Sequence, residues 1–400
     1  MGGLQVLGMA TPTTPEGTLA SQRHLFEIPE DVAYFNCASL APQLRSVRAA
    51  GEAALTRNAQ PWRTHSSDWF AGAEELRALF ARLIRATADD IALIPATSYG
   101  LAVAAANLTA RPRERILVIA EAYPSAVYTW RAFARRTGAE ILTVQHEAGQ
   151  GWTEAILEAI DERTKVVSVP NVHWTNGARI DLERVGQRAR EVGAAFIVDA
   201  SQSLGAMPLD VASLRPDYLV TVGYKWLLGP FSIGYMYVDP ARHAGTPIEQ
   251  NWILRAASDD FARLVDYRDE YQPGARRFDV GQRSNFTLIP MALAALRQVE
   301  QWSIASIART LAALTARIAQ ETRKLGLATL SCDQRGPHIL GIELPQETLA
   351  PATRTLADKG VYVGIRGSNI RISPHLYATT ADIDHLIDAL TPVARRGGSL

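Results

Sequence analysis

Two apolar runs in the middle of the chain each lead into a charged residue. Residues 194–230 read AAFIVDASQSLGAMPLDVASLRPDYLVTVGYKWLLGP. The first run, AAFIVD, ends at Asp199, and the second, YLVTVGY, is followed directly by Lys225. Both runs are short, rich in β-branched residues and apolar on both faces, which is typical of strands in a buried parallel sheet. Because parallel strands end at the same edge of a sheet, we expect Asp199 and Lys225 to face one crevice.

Similar runs on both sides of this stretch predict an α/β fold with a large doubly wound domain and a mainly parallel sheet. Alternating strands and helices form βαβ units, whose ligands bind beyond the carboxyl ends of the strands. The predicted strands are Ile91–Pro95, Arg115–Ala120, Glu140–Gln145, Lys165–Val169, Ala194–Asp199, Tyr218–Gly223 and Ile233–Val238. The predicted helices among them are Ser98–Leu108, Tyr128–Thr137 and Asp181–Val192.

The sequence after about residue 290 predicts a small α+β domain. Its predicted elements are a helix over Pro290–Leu325 that is interrupted near Trp302–Ser303, a strand at His338–Leu344, a helix at Pro351–Lys359, strands at Val361–Ile365 and Asn369–Ser373, and a last helix capped by Thr379 or Thr380. We therefore divide the chain into a flexible tail (1–20), an N-terminal segment that packs with the small domain (21–60), a large domain that contains the ligand-binding crevice (61–289) and a small C-terminal domain (290–400).

The composition argues against several classes of protein. Among 400 residues, 41 Lys and Arg balance 41 Asp and Glu. Nucleic-acid-binding and membrane-surface proteins need an excess of positive charge to neutralise phosphates, so neither kind of partner is expected. No window approaches about 18 uninterrupted apolar residues, which argues against a membrane span.

The cysteines and histidines give no metal site. Cys37 and Cys332 are too few for a disulfide scaffold or a Cys-based zinc site. The eight histidines form no HExxH or HxxxH cluster. The first residues lack the basic and apolar regions of a signal peptide, so the expected location is the cytoplasm.

Lysine is rare in this chain, which makes each lysine informative. The four lysines are Lys165, Lys225, Lys324 and Lys359, whereas arginine occurs 37 times. Lysine offers a titratable amine for covalent chemistry, and arginine does not. Lys225 stands among aromatic and leucine side chains, which predicts a partly desolvated amine with a lowered pKa.

A desolvated lysine opposite a carboxylate is the pair that pyridoxal phosphate requires. The lysine holds the aldehyde of the cofactor as an imine, and the carboxylate keeps the pyridine nitrogen protonated so that the ring accepts electrons. Alternatives remain for each residue alone: Asp199 as a helix cap or magnesium ligand, and Lys225 as half of a structural ion pair. Gly223 and the Gly229–Pro230 pair flank the lysine and predict a tight turn, and this context favours the cofactor site.

This stretch resembles the class V aminotransferase family, a branch of the fold-type I pyridoxal phosphate enzymes that includes cysteine desulfurases, kynureninases and isopenicillin N epimerase. The resemblance extends from Tyr34 to the last helix. It implies that Lys225 forms the internal aldimine and that Asp199 is the partner of the pyridine nitrogen. It also implies that Gln202 hydrogen-bonds the phenolic oxygen of the cofactor.

Other cofactor contacts are implied by the same resemblance. Tyr123 matches the ring that stacks on the cofactor, although a core tyrosine is the alternative. Ser98 matches a phosphate ligand, and the start of a helix suits an anion, although a simple helix N-cap is compatible as well. Tyr224 stands where desulfurases have histidine and resembles the kynureninase branch, where its hydroxyl reaches the phosphate. Val222 replaces a phosphate-binding serine of the desulfurases.

The segment RRFDVGQRSNF (276–286) resembles the family loop that reaches the phosphate of the neighbouring subunit. Gln282 or Ser284 would make the contact, which implies a homodimer with shared active sites; a surface loop is the alternative. Arg371, in NIRISPHLY, resembles the arginine that binds the substrate carboxylate with its planar fork, and a surface ion pair is the alternative.

Three further residues near these motifs have open roles. His173 and Trp174 line the substrate pocket or form a packed aromatic pair. Arg366 lies on a turn beside the carboxylate-binding arginine.

The resemblance implies a pyridoxal phosphate-dependent enzyme of the aminotransferase class V type, acting on an α-amino acid. A lyase or hydrolase that cleaves a C–S or Cβ–Cγ bond, or an amino-acid epimerase, is the alternative on the same fold.

A dinucleotide-binding or P-loop enzyme is disfavoured because neither GxGxxG nor GxxxxGK[ST] occurs. A catalytically inactive relative is disfavoured because Asp199, Gln202, Lys225 and Arg371 occur together. The stretch VYVGIRGSNIRIS contains no cysteine, so we do not expect a persulfide-forming desulfurase.

Overall fold

Three β-sheets organise the part of the chain that the structure describes. The computed structural model describes residues 17–146 and 149–397, so most of the predicted tail at residues 1–20 lies outside it. The strands are β1 (Ala33–Tyr34), β2 (Ile91–Ile94), β3 (Arg115–Ile119), β4 (Glu140–Val144), β5 (Thr164–Pro170), β6 (Ala195–Asp199), β7 (Tyr218–Val222), β8 (Gly234–Val238), β9 (Leu340–Glu343), β10 (Val361–Tyr362), β11 (Gly364–Arg366) and β12 (Asn369–Ile372).

The largest sheet has seven strands in the order β2-β8-β7-β6-β5-β3-β4. Strands β3 to β7 pair in parallel, and β8 runs antiparallel to both β2 and β7. Each bound of these strands lies within one residue of its predicted position. The α/β fold with a mainly parallel sheet is therefore confirmed.

Helices cover both faces of this sheet. Alternate residues of a strand enter opposite cores: Phe196 and Val198 pack on one side, and Ile197 packs on the other against α3 and α4 side chains. This burial on both faces explains why the strands are mostly apolar. The helices are α1 (Arg45–Asn58), α2 (Ala71–Ile84), α3 (Thr97–Ala106), α4 (Pro124–Thr137), α5 (Trp152–Ala159), α6 (Leu182–Glu191), α7 (Val211–Leu214), α8 (Leu288–Trp302), α9 (Ile304–Lys324), α10 (Gln346–Ala357) and α11 (Thr380–Gly397).

The C-terminal part contains the antiparallel sheet β11-β12-β9. The predicted break in the long helix is confirmed, because Ser303, with φ 62°, separates α8 from α9. Thr379 caps the last helix as predicted: its Oγ1 accepts from Asp382 N at 3.1 Å, and its own N donates to the Asp382 carboxylate at 2.7 Å.

Two predicted elements of this part are wrong. The helix begins at Gln346 rather than at Pro351, because Pro345 is the proline that precedes it. Pro351 lies inside α10 at the loss of one backbone hydrogen bond. The single strand predicted at 361–365 is two strands, because β10 pairs with β1 in parallel whereas β11 pairs with β12.

The division into domains stays a proposal. Pairing of β1 with β10 joins the N-terminal segment to the C-terminal part, while α1 packs on α8. None of the described helices is long and apolar enough to cross a lipid bilayer. Within the described ranges, no group of three His, Cys, Asp or Glu side chains is placed to hold a metal ion.

Candidate active site

A cavity of about 320 Å³ lies at the carboxyl edge of the central sheet. Asp199, the last residue of β6, and Lys225, three residues after the end of β7, both line it. The two charged strand ends therefore share one crevice, as the sequence predicts. Its volume is that of a site for a small organic ligand.

The amine of Lys225 is buried and has no hydrogen-bond partner among the described residues. The residue is 7% exposed, and its Nζ lies 5.6 Å from the ring centroid of Tyr123 and 5.7 Å from that of Tyr224. Burial lowers the pKa of this amine from 10.5 to about 8, although the nearby Asp199 carboxylate acts in the opposite direction. The neutral amine that a nucleophile or base requires is therefore far more accessible near neutral pH than in an ordinary lysine.

The predicted tight turn fixes the position of this lysine. Gly223 N donates to Ile233 O at 2.8 Å, and Gly229 N donates to Gly223 O at 2.8 Å. A Cβ at Gly223 would lie 2.8 Å from Ile233 O, so the two backbones approach more closely than any other residue allows. Only glycine permits this turn, and the turn aims Lys225 into the cavity.

Asp199 is held by the short segment that follows β6, and the Gln202 side chain is held by more distant parts of the chain. Asp199 Oδ1 accepts from Ser201 N at 2.9 Å. The Gln202 side chain donates to Ala38 O at 3.1 Å and accepts from Trp226 Nε1 at 3.1 Å. One N–H of the Gln202 amide remains for a ligand, so this residue is both an anchor of the N-terminal segment and a wall of the cavity.

The start of α3 forms another wall of the cavity and suits an anion. The N-cap position is Ala96, which offers no side chain to the free backbone amides of the first turn. Ser98 is the second residue of α3, is exposed and lines the cavity, so its interpretation as a simple N-cap is wrong. Tyr224 lines the same cavity, with its ring 4.6 Å from that of Phe231. A phosphate placed here would meet amides, a hydroxyl and the positive end of the helix dipole.

Tyr123 is not a core residue. It is 41% exposed at the start of α4, and its ring meets Trp174 edge to face, with centroids 5.4 Å apart. His173 and Trp174 separate: Trp174 lines the cavity, whereas His173 is buried and stacks on Trp152 at 5.4 Å. Burial lowers the pKa of His173 to about 4, so it packs as a neutral ring.

Arg371 on β12 is 1% exposed and forms no surface ion pair. Its Nη1 donates to Trp174 O at 2.9 Å, and its Nη2 donates to Ser39 Oγ at 2.7 Å. Its Nε has no partner among the described residues. Burial, reinforced by the nearby charge of Arg366, lowers the pKa of Arg371 from 12.5 to about 9. A buried guanidinium without a carboxylate is prepared for an anionic ligand.

Sequence reasoning missed two side chains that hold this arginine, Asn36 and Ser39. Asn36 Oδ1 accepts from Arg371 Nη2 at 3.4 Å, and Arg366 Nη2 donates to the same Ser39 hydroxyl at 2.6 Å. Asn36 and Ser39 belong to YFNCASLAP, where polar residues interrupt an apolar run. That interruption indicates that Asn36 and Ser39 have a role beyond packing. Their contact with Arg371, however, depends on the pairing of strands that are distant in the sequence.

Gln282 and Ser284 do not join the other predicted residues within one chain. Gln282 is exposed with φ 59°, and Ser284 is buried and donates to Trp69 O. The predicted contact concerns the neighbouring subunit, so it stays a prediction.

Neither cysteine offers a reactive thiol at the cavity. Cys37 is fully buried with its Sγ 4.0 Å from Lys225 O, and burial raises the pKa of its thiol far above the usual range. Cys332 is exposed and does not line the cavity.

These residues fit pyridoxal phosphate. An unpartnered amine, a carboxylate across the cavity and an uncapped helix start match the aldehyde, the pyridine nitrogen and the phosphate. The hydrogen bonds that hold Asp199 and Gln202 keep these groups in place before the cofactor binds.

Comparison with known proteins agrees with this geometry. The model of the family "Aminotransferase class-V" matches residues 34–386. The uncharacterised aminotransferase YcbU of Bacillus subtilis is 28% identical over 318 residues, which cover 79% of this chain and 82% of that protein. Isopenicillin N epimerase of Streptomyces clavuligerus is 24% identical over 334 residues, covering 79% of this chain and 83% of the epimerase.

A solved structure shows the same fold. The apo cysteine desulfurase of Thermococcus onnurineus NA1 superposes with a TM-score of 0.81 at 20% identity, covering 97% of this chain and 100% of that one. The fold-type I architecture and the resemblance found in the sequence are confirmed, and so is the pyridoxal phosphate cofactor class. The chain belongs to the aminotransferase class-V family.

Proposed function

We propose that this pyridoxal phosphate-dependent enzyme acts on an α-amino acid by an aminotransferase-type reaction, with Lys225 as the residue that holds the cofactor and moves the Cα proton. The observation that carries the proposal is the buried, unpartnered amine of Lys225 in the cavity shared with Asp199. Family membership supports the cofactor, and the geometry supports the assignment of residues.

The proposed roles follow from position and charge. When bound, the cofactor supplies an electron-accepting ring that stabilises negative charge at Cα. Asp199 holds a proton on the pyridine nitrogen, and Gln202 donates its remaining N–H to the phenolic oxygen. Ser98 and the amides at the start of α3 bind the phosphate, and Tyr123 lies against the ring. Val222 offers no phosphate contact, which leaves that task to α3 and Tyr224.

Arg371 orients the substrate, and Lys225 removes its Cα proton. Arg371 binds the α-carboxylate in a bidentate manner, which fixes the Cα–H bond near the lysine amine. With a pKa lowered to about 8, Lys225 would serve as the base that takes up the Cα proton.

A persulfide-forming reaction is disfavoured. That chemistry needs a mobile thiolate at the cavity. Cys37 is buried with a raised pKa, and Cys332 lies elsewhere on the surface.

We also propose a homodimer with shared active sites, located in the cytoplasm. Exposed large apolar side chains cluster on the segment before the predicted phosphate-contacting loop, and such patches are typical of interfaces. They are Trp252, Phe261, Val265 and Tyr267. Gln282 lies exposed on the loop itself.

Covalent labelling tests the central assignment. The purified protein should be yellow, and borohydride should fix the cofactor to the peptide that contains Lys225. The Lys324→Ala variant is the matched control, because Lys324 is exposed and pairs with Glu321 at 2.8 Å. Label on a peptide with Lys165, Lys324 or Lys359 would disprove the assignment, and a protein that binds no cofactor would disprove the function.

A further inference from the structure

A second arginine, Arg366, lies on the same face of the β11–β12 hairpin as Arg371. Gly364 pairs with Arg371 and Arg366 pairs with Asn369 in the antiparallel register. Side chains two residues apart on a strand share a face, so Arg366 and Arg371 are diagonal neighbours. Gly364 leaves room between them, because a Cβ there would lie 2.9 Å from Asn36 Oδ1 and 3.5 Å from Arg371 Nη2.

The two guanidinium groups converge on one hydroxyl. Arg366 Nη2 donates to Ser39 Oγ at 2.6 Å, and Arg371 Nη2 donates to the same oxygen at 2.7 Å. Two positive groups that share one small acceptor are immediate neighbours and repel each other. Repulsion from Arg366 is one of the reasons why the pKa of Arg371 is lowered.

Neither arginine forms an ion pair with any described residue. Two other buried arginines are neutralised, because Arg77 and Arg283 both bind the Asp279 carboxylate, at 2.8 Å and 2.5 Å. Arg335 is buried without a carboxylate, but it lies apart from other arginines and donates to Leu330 O, Thr315 Oγ1 and Gly336 O. The Glu121 carboxylate approaches the hairpin near Gly367, yet it makes no ion pair with Arg366. The hairpin therefore holds two neighbouring positive charges without a matching negative one.

Both arginines lie beside the cavity that contains Lys225. The Arg366 guanidinium lies 5.7 Å from the Trp174 ring centroid, and Trp174 lines that cavity. Trp174 also contacts Tyr123, whose ring lies 5.6 Å from Lys225 Nζ. The charges of both arginines lower the pKa of Lys225, which places them within electrostatic reach of its amine.

We propose that Arg366 binds the side-chain carboxylate of an acidic α-amino acid whose α-carboxylate is bound by Arg371. This inference rests on the proposed function, because it assigns a substrate class to the same site. A substrate with one carboxylate would leave one of the two guanidinium groups unneutralised. A substrate with two carboxylates neutralises both, and each planar fork takes one carboxylate.

Binding of acids that lack an amine tests this inference without any chemistry at the cofactor. Succinate and glutarate are compared with butyrate and valerate, their length-matched monocarboxylates, by titration calorimetry of the holoenzyme. We expect each dicarboxylate to bind about tenfold to a hundredfold more tightly than its partner. Equal affinities of the wild-type enzyme for the two classes would overturn the proposal.

Variants assign the second carboxylate to Arg366. Arg366→Gln should remove the dicarboxylate preference and leave monocarboxylate binding nearly unchanged, whereas Arg371→Gln should weaken both classes. Arg366→Lys keeps the charge without the fork and should retain part of the preference. Arg354→Gln, which removes an exposed arginine of α10, is the control and should behave as wild type. Equal loss of both classes in Arg366→Gln would mean that Arg366 only supports Arg371, which contradicts the proposal.

Turnover then connects the binding preference to the substrate. We expect kcat/KM for L-glutamate or L-aspartate to exceed that for the corresponding amide, and Arg366→Gln to cancel the difference. Acid binding and the cofactor label are independent readouts. If the cofactor is fixed to Lys225 but dicarboxylates are not preferred, only this inference is wrong. If the cofactor is fixed to another lysine, the proposed function is wrong.

Discussion

The state of Lys225 results from two opposing effects. Burial, aided by the charges of Arg371 and Arg366, disfavours the ammonium form, and the Asp199 carboxylate favours it; the net result is a pKa lowered from 10.5 to about 8. Desolvation therefore outweighs the attraction. Such a lysine is an active amine, but it makes the folded apoenzyme less stable wherever the unfolded chain would keep the proton.

This linkage gives a pH prediction. Between pH 8 and 10.5 the unfolded state binds more protons at Lys225 than the folded state does, so stability from this group rises with pH through that window. Below pH 8 the full penalty applies, on the order of 3 kcal/mol. We expect apo Lys225→Met to be more stable than the apo wild type at pH 7, with the difference shrinking by pH 10.

Urea unfolding of both apoproteins at several pH values measures this difference. Comparison of the two curves cancels the tyrosines and Cys37, which titrate in both proteins. A stability difference that stays constant from pH 7 to pH 10 would contradict a depressed pKa at Lys225.

Asp199 is tested by an isosteric change. Asp199→Asn keeps the hydrogen bond from Ser201 N but cannot hold a proton on a pyridine nitrogen. We expect turnover to fall by about a hundredfold or more while cofactor absorbance at saturation is largely kept, because the phosphate contacts remain. Near-normal turnover of this variant would show that the carboxylate is not needed.

Arg371 is tested by comparing substrates with and without a carboxylate. Removal of a buried bidentate arginine costs roughly 2–5 kcal/mol. Arg371→Ala should therefore raise KM strongly for an amino acid and much less for the amine that lacks the carboxylate. Steady-state kinetics with both compounds measure the difference, and equal losses would indicate a structural role.

At the level of elements, the sequence predicts individual strands from local patterns, but it does not predict contacts between residues that are far apart in the chain. Asp199 and Lys225 are placed by the strands before them, and a strand of four to seven apolar residues is visible in sequence. Ser39 and Arg366 are more than three hundred residues apart in the sequence. They come together only because β1 pairs with β10. No local pattern encodes such a meeting, so the sequence points to Arg371 and the neighbouring Arg366 but not to Ser39 as the acceptor that they share.

The turn before Lys225 leaves no room for a methyl group at Gly223. In Gly223→Ala the new Cβ would lie 2.8 Å from Ile233 O, which is backbone and cannot rotate away. We expect a lower melting temperature and weaker cofactor binding, because the turn must open to accept the methyl group. Gly151→Ala is the matched control, since nothing lies within 4 Å of its Cβ. Equal melting temperatures and cofactor affinities for the two variants would exclude a role for this turn.

At the level of the molecule, the site is assembled from three distant parts of the chain. The central sheet supplies Lys225 and Asp199, the C-terminal hairpin supplies Arg371 and Arg366, and the N-terminal segment joins them through Ser39. A change in the position of the hairpin therefore moves the carboxylate site relative to the lysine. The predicted fourth part, Gln282, would come from another subunit.

Subunit mixing tests that last part. If Gln282 serves the neighbouring cavity, Lys225→Ala and Gln282→Ala subunits form heterodimers in which one site carries both changes and the other carries neither. Mixing two impaired variants by partial unfolding and refolding should then restore about a quarter of the wild-type activity, because half of the dimers are mixed and one of their two sites is intact. Lys225→Ala mixed with Asp199→Asn is the control: both residues line the cavity of their own chain, so every site keeps a defect and mixing should not raise the activity above that of Asp199→Asn alone. Full activity of Gln282→Ala alone, or no recovery on mixing it with Lys225→Ala, would contradict the shared site, and a monomer by light scattering would exclude it.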